Sequence, residues 1–73
     1  MHSHEKTAKF VKKAREISKL KQRELGAKIG ISQAGVAMLE NAYSGPSGYI
    51  ILKIIELVKG ISKRKVNELI DII

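Results

Sequence analysis

Apolar residues recur at helical spacing along nearly the whole chain, and they divide it into five predicted helices. The first runs from about Glu5 to Ser18, with apolar residues at i, i+4 and i+7 that form one face of a helix. Its remaining faces carry the basic residues Lys6, Lys9, Lys12, Lys13 and Arg15. The residues before it, Met1 to Glu5, are predicted to form a short polar arm. The apolar residues of this first helix are Phe10, Val11, Ala14 and Ile17.

Two short helices are predicted next, from Gln22 to Ile29 and from Gln33 to Glu40. Gly30 follows the first of them at the C′ position, where a positive φ costs glycine little. Ser32 is the predicted N-cap of the second, since its hydroxyl can accept a hydrogen bond from an amide in the first turn. The pattern therefore predicts two helices joined by a tight turn.

The last third of the chain contains one loop and two further predicted helices. The loop covers Asn41 to Ser47 and contains the turn residues glycine and proline. The fourth helix, Tyr49 to about Lys59, is apolar on more than half of its circumference and is predicted to be the most buried. Gly60 is expected to end it. Ser62 is expected to cap a fifth helix, Lys63 to Ile73.

The length limits the chain to one small domain, and the five predicted helices make that domain all-α. The composition argues against catalysis. It has 73 residues, enough for a single domain spanning residues 1–73. The absence of Cys excludes disulfides, thiolate metal sites and thiol nucleophiles. No phosphate-binding loop, Ser/His/Asp set or pair of carboxylates at catalytic spacing is present. We therefore expect no enzyme activity, no metal, no cofactor and no small-molecule ligand.

The hydropathy of the chain indicates its cellular location, and its charge indicates the kind of partner that it binds. No apolar run approaches the ~20 residues that span a bilayer, and the N-terminus lacks a signal-peptide core, so a cytoplasmic protein is expected. The net charge is +7, and residues 1–30 hold nine Lys/Arg against three Glu. One basic half favours nucleic acid or an anionic membrane surface. A solvated lysine-rich surface explains the same charge equally well.

The stretch from Gln22 to Asn41, QRELGAKIGISQAGVAMLEN, resembles the helix-turn-helix of the lambda repressor/Cro-like family. In that family, helices two and three of a five-helix domain form the motif. Gly26 takes the small-residue site where the two helices cross, and Gly30 takes the turn glycine. Ser32-Gln33 matches the start of the recognition helix, and Glu40-Asn41 matches its frequent ending. The buried positions of the motif are matched by Leu25, Ile29, Ile31, Val36 and Leu39.

The resemblance implies that the third helix enters the major groove of double-stranded DNA. Gln33, in its first turn, can offer a donor and an acceptor to adenine N6 and N7. Ala34 and Met38 are expected to point outward and can contact thymine methyl groups, while Ala37 is small enough to permit close approach. The direct readout predicted for this helix depends mainly on Gln33.

Phosphate contacts are expected on both sides of that helix. Gln22 stands at a helix N-terminus, which favours an anion. The resemblance implies that Gln22 and Asn41 contact the DNA backbone and that Gln22 pairs with Gln33. Glu40 is expected to bond within the domain, and Lys21 cannot act as a side-chain N-cap. The other candidate DNA contacts are Ser32, Lys19, Lys21, Arg23, Tyr43 and Ser44.

The fifth helix raises the question of a protein partner. Its apolar stripe comprises Val66, Leu69, Ile70 and Ile73, and the resemblance implies homodimerisation through this helix. A symmetric dimer would place two recognition helices about 34 Å apart, one turn of DNA. We therefore expect a sequence-specific regulator, of the repressor kind, on a pseudo-palindromic operator. The alternatives are an antitoxin- or coactivator-like protein-interaction module and a weakly specific DNA- or RNA-binding protein.

Overall fold

The computed structural model describes residues 4–72, which form five α-helices joined by short connections. The predicted all-α fold class and the number of helices are confirmed. None of the helices described is both long and apolar enough to cross a membrane. The helices are α1 His4–Ser18, α2 Gln22–Ile29, α3 Gln33–Glu40, α4 Gly48–Ile61 and α5 Lys63–Ile70.

The N-terminal boundary of α1 corrects the predicted extent of the polar arm. His4 and Glu5, which were assigned to the arm, are the first residues of the helix. The Thr7 hydroxyl donates to the His4 carbonyl oxygen at 2.9 Å within the first turn. Glu5 lies in that turn, where the helix dipole favours a negative charge. The rest of the predicted arm, residues 1–3, lies outside the described residues.

Two C-terminal boundaries also differ from the prediction. Gly60 does not end α4, because its φ is not positive and the helix continues for one more residue. The helix ends where the Ser62 amide donates to the Val58 carbonyl oxygen at 2.8 Å. Ser62 also caps α5, as predicted. α5 ends at Ile70, and Ile73 lies outside the described residues.

All five helices contribute to one core, and α1 lies at its centre because it packs against α3, α4 and α5. The prediction that α4 is the most buried helix is wrong. Only Ile54 and Val58 of α4 are fully buried, whereas Tyr49 and Leu52 are 65% and 61% exposed. The apolar band of α4 is wider than the face that its neighbours cover. The core residues are Phe10, Val11, Ala14, Leu25, Ile29, Val36, Leu39, Ile54, Val58, Val66 and Leu69.

The turn between α2 and α3 has the backbone geometry that its glycines predict. Gly30 has φ 86°, and its amide donates to the Gly26 carbonyl oxygen at 2.8 Å. A Cβ at Gly26 would lie 2.5 Å from the carbonyl oxygen of Ile31, so only glycine fits at this crossing. The Ser32 hydroxyl accepts from the Gly35 amide at 3.0 Å and caps α3. These predictions are confirmed.

Gly26→Ala should lower the free energy of unfolding by about 1–3 kcal/mol, because the new methyl group would displace the backbone of the turn. Gly60→Ala is the matched control. Its Cβ meets nothing within 4 Å, and alanine is favoured over glycine in a helix by about 1 kcal/mol, so stability should rise. Urea unfolding followed by circular dichroism measures both. Equal losses in the two variants would contradict the close approach at Gly26.

Candidate nucleic-acid interface

One face of α3 packs on the core and the other is open. Val36 and Leu39 are buried, and they hold the helix against α1 and α2. Among the open residues only Gln33 carries side-chain hydrogen-bonding groups, so this face offers one polar contact and several apolar ones. Met38 is 48% exposed. The open residues are Gln33, Ala34 and Met38, with Ala37 partly exposed.

Ser32 combines a structural and a potential binding role. Its hydroxyl oxygen accepts the Gly35 amide hydrogen as the N-cap of α3. A hydroxyl group also has one hydrogen to donate, and Ser32 is exposed. Ser32 can therefore donate to a phosphate oxygen while it still caps the helix.

A shallow depression, named the α2 groove, lies at the N-terminal ends of α2 and α3. It contains three cationic side chains and one carboxylate, and that carboxylate accepts from the Lys21 amide at 2.8 Å. The amides at the start of α2 and its dipole add to the positive potential. These are the properties of a phosphate site. The groove is lined by Arg15, Lys21, Gln22, Arg23, Glu24 and Gln33.

Arg15, which lines the α2 groove, forms a partly buried ion pair with Glu40. Arg15 Nε donates to Glu40 Oε2 at 2.6 Å, and Arg15 Nη2 donates to Oε1 at 3.2 Å. Glu40 is only 5% exposed. Gln22 Nε2 donates to the same Oε1 at 3.1 Å, and Arg15 Nη1 donates to the Leu20 carbonyl oxygen at 3.4 Å. One carboxylate on α3 therefore holds side chains from α1 and α2.

The ion pair favours the charged form of the arginine and explains the role of the carboxylate. The hydrogen bond to Glu40 is the main cause that raises the pKa of Arg15 above its usual value, although burial opposes it. The prediction that Glu40 bonds within the domain is confirmed.

Gln22 is held differently from the expectation. It was expected to pair with Gln33, but in the described part of the chain its amide nitrogen donates to Glu40 instead. Gln22 and Gln33 nevertheless line the same groove. Because an amide group has a second hydrogen and an acceptor oxygen, Gln22 retains groups that can bind a phosphate or Gln33 when DNA is present.

The predicted cations surround the start of α2. Lys21 occupies the N-cap position without a side-chain hydrogen bond, as expected for lysine. The Glu24 carboxylate compensates by accepting from the Lys21 amide. Lys19 and Arg23 are both exposed, and Lys19 has φ 59° at the end of α1. All three cations are therefore accessible to an anionic ligand.

The connection after α3 places further predicted contacts at the other end of the helix. Asn41 is exposed and directly follows Glu40, and Tyr43 is 77% exposed. The chain turns sharply because Ala42 has φ 62° and the Tyr43 amide donates to the Met38 carbonyl oxygen at 3.0 Å. Ser44, next in the chain, is partly buried.

Arg15 lines the candidate site, although the sequence pattern placed it only on the basic face of the first helix. The signal for its role lies in α3, where Glu40 falls four residues after Val36 on the buried stripe. A carboxylate in that position needs a hydrogen-bonded cation. Because the two residues are 25 positions apart, the sequence does not indicate which cation pairs with Glu40.

The predicted dimerisation residues occupy different environments. Val66 and Leu69 are 8% and 0% exposed and belong to the core of their own domain, so their assignment to a dimer interface is corrected. Ile70 is 45% exposed. Ile73 lies outside the described residues. Of the described members of this set, Ile70 is the one that a second subunit can reach.

α3 is exposed on one face, follows α2 after a glycine turn and lies beside the basic α2 groove. These features define a helix-turn-helix domain suited to DNA binding. A family model described as helix-turn-helix matches residues 11–66. The chain belongs to this family, the lambda repressor/Cro-like helix-turn-helix proteins, which are DNA-binding regulatory domains. Comparisons with curated proteins and with solved structures found no match.

Glu40→Gln should lower the free energy of unfolding by about 1–3 kcal/mol, because Arg15 loses its anionic partner at a buried site. Glu68→Gln makes the same chemical change in an exposed pair, Lys13–Glu68, at 3.6 Å. It should cost no more than about 0.5 kcal/mol. Urea titrations at neutral pH compare the two. A similar cost in both variants would show that the buried pair has no special structural role.

Proposed function

We propose that this protein is a sequence-specific transcriptional regulator that binds double-stranded DNA with α3 in the major groove. It acts in the cytoplasm as a homodimeric repressor on a pseudo-palindromic operator. The observation that carries the proposal is the position of Gln33. It is exposed on the first turn of α3 and lines the basic α2 groove, so one end of α3 can meet a base edge beside a phosphate.

The dimensions of the motif suit this placement. The major groove is about 12 Å wide and accepts one α-helix. With α3 in the groove, the N-terminus of α2 faces the DNA backbone, where Lys21 and Arg23 supply positive charge. Gln22 is fixed by Glu40 at the same place. A phosphate bound there would set the depth and direction of α3.

The chemistry of α3 indicates the kind of base sequence that it prefers. Gln33 can bond adenine through N6 and N7, and the exposed Ala34 and Met38 can contact thymine methyl groups. A·T pairs thus match this face better than G·C pairs. Since one side chain provides the polar contact, DNA shape and flexibility should supply the remaining discrimination.

Repression requires only that the bound domain excludes other proteins from the operator. Two copies related by a two-fold axis would occupy half-sites about 34 Å apart. The exposed Ile70 on α5 supports a contact between copies, because a large apolar side chain gains from burial against a second subunit. The dimer contact is therefore assigned to the exposed edge of α5.

Gln33→Ala should relax the preference at one base position and cost about 1–3 kcal/mol at the preferred base. Asn67→Ala, an exposed polar residue on α5, is the control and should leave the base preference unchanged. Selection from a random duplex library, followed by binding titrations, measures both. An unchanged selected motif would remove Gln33 from the base contacts. Equal wild-type affinity for selected and random duplexes at every salt concentration would instead indicate a weakly specific nucleic-acid-binding protein.

Ile70→Glu should weaken self-association and the cooperative binding of two copies to a full operator, because it places a charge in the proposed contact. Since Ile70 is 45% exposed, the fold should tolerate the change. Leu52→Glu makes a matched substitution at an exposed apolar residue of α4 and should have no such effect. Sedimentation of the free and DNA-bound protein tests this. A dimer that survives Ile70→Glu but is lost in Leu52→Glu would move the contact to α4.

A further inference from the structure

A second depression, named the α1 groove, lies at the opposite end of α3 from the α2 groove. α1 and the residues that end α3 form its walls. We propose that it is a second phosphate site, in which Lys9 and Lys12 bind the DNA backbone beside Asn41. This proposal rests on the proposed function, because the backbone is that of the DNA held by α3. The α1 groove is lined by Glu5, Ala8, Lys9, Lys12, Glu40, Asn41 and Ala42.

α1 places Lys9 and Lys12 on the same side of the domain as the end of α3. Lys9 and Lys12 are three residues apart, on one face of the helix, and both are exposed. The first turn of α1 touches the connection that follows α3, since a Cβ at Gly45 would lie 2.8 Å from the His4 ring. The basic face of α1 therefore runs alongside the exit of α3, where Asn41 is exposed.

The charges around the α1 groove favour an anion. Glu40 lines it, but its carboxylate is buried and paired with Arg15 at 2.6 Å. Glu5 is the other carboxylate among the lining residues, and two lysines outnumber it. The long lysine side chains can move toward a phosphate, whereas Glu5 is held near the positive end of the α1 dipole.

The two grooves receive residues from the two ends of α3. Gln33 lines the α2 groove and Asn41 lines the α1 groove. Eight residues of helix separate these two residues, a rise of about 12 Å. With α3 lying along the major groove, a phosphate beside Asn41 is therefore a separate contact from a phosphate beside Gln33.

The double variant Lys9→Gln/Lys12→Gln tests the site. Each phosphate contact contributes about 0.9 to the slope of log K against log salt, so the slope should fall by about 1–2. Affinity near physiological salt should fall roughly tenfold, equally on selected and random duplexes, because phosphate contacts carry no sequence information. Glutamine and lysine have similar helix propensities, so thermal unfolding should be unchanged.

Lys59→Gln/Lys65→Gln is the matched control, since it removes the same charge from exposed lysines of α4 and α5 that line neither groove. Its salt slope should stay near the wild-type value. Identical slopes and affinities for the two double variants would overturn the α1 groove site. If the wild type binds selected and random duplexes equally, the sequence-specific function fails, but the comparison of slopes still decides the site.

Ethylation interference on the selected operator locates the contact. With the wild type, ethylated phosphates flanking each end of α3 should block binding. In Lys9→Gln/Lys12→Gln, the interference should disappear on one flank and persist on the flank next to Gln22. Loss on neither flank, or equal weakening on both, would contradict a phosphate held by Lys9 and Lys12.

Discussion

The carboxylate of Glu40 is the point at which α1, α2 and α3 are joined. It accepts hydrogen bonds from Arg15 and Gln22, and Arg15 also reaches the Leu20 carbonyl oxygen just before α2 begins. A buried carboxylate is costly unless its oxygens are paired. Here both oxygens are paired, so the strongly favoured arrangement of the three helices is the one that keeps these bonds. Arginine suits the position because its planar guanidinium can pair with both carboxylate oxygens.

Apolar packing alone would leave the direction of α3 less well defined. Val36 and Leu39 hold the helix on the core, but apolar contacts are largely non-directional. Glu40 fixes the rotation of the helix about its axis at one end, and the close approach at Gly26 fixes its distance from α2 near the other. Together these constraints aim Gln33 outward, which is what contact with a base edge requires.

The features that were predicted correctly from the sequence are those in which the residue type itself indicates the local backbone geometry. Gly30 and the Ser32 cap are examples, because positive φ and capping depend on neighbours in the chain. The pairing of Arg15 with Glu40 spans 25 residues, and nothing local distinguishes Arg15 from the lysines around it. The positive φ of Ala42 was missed for the opposite reason: alanine gives no signal for a conformation imposed by the hydrogen bonds after α3.

We expect α3 to determine which DNA sequence is preferred, and the cations of α1 and α2 to determine how tightly DNA is bound. The single charged residue of α3 is Glu40, which is buried and paired with Arg15, so the open face of α3 carries no net charge. The cations that line the two grooves lie instead on α1 and around the start of α2. Changes on α3 should therefore alter which sequence is bound, while changes to the lysines should alter how tightly every sequence is bound.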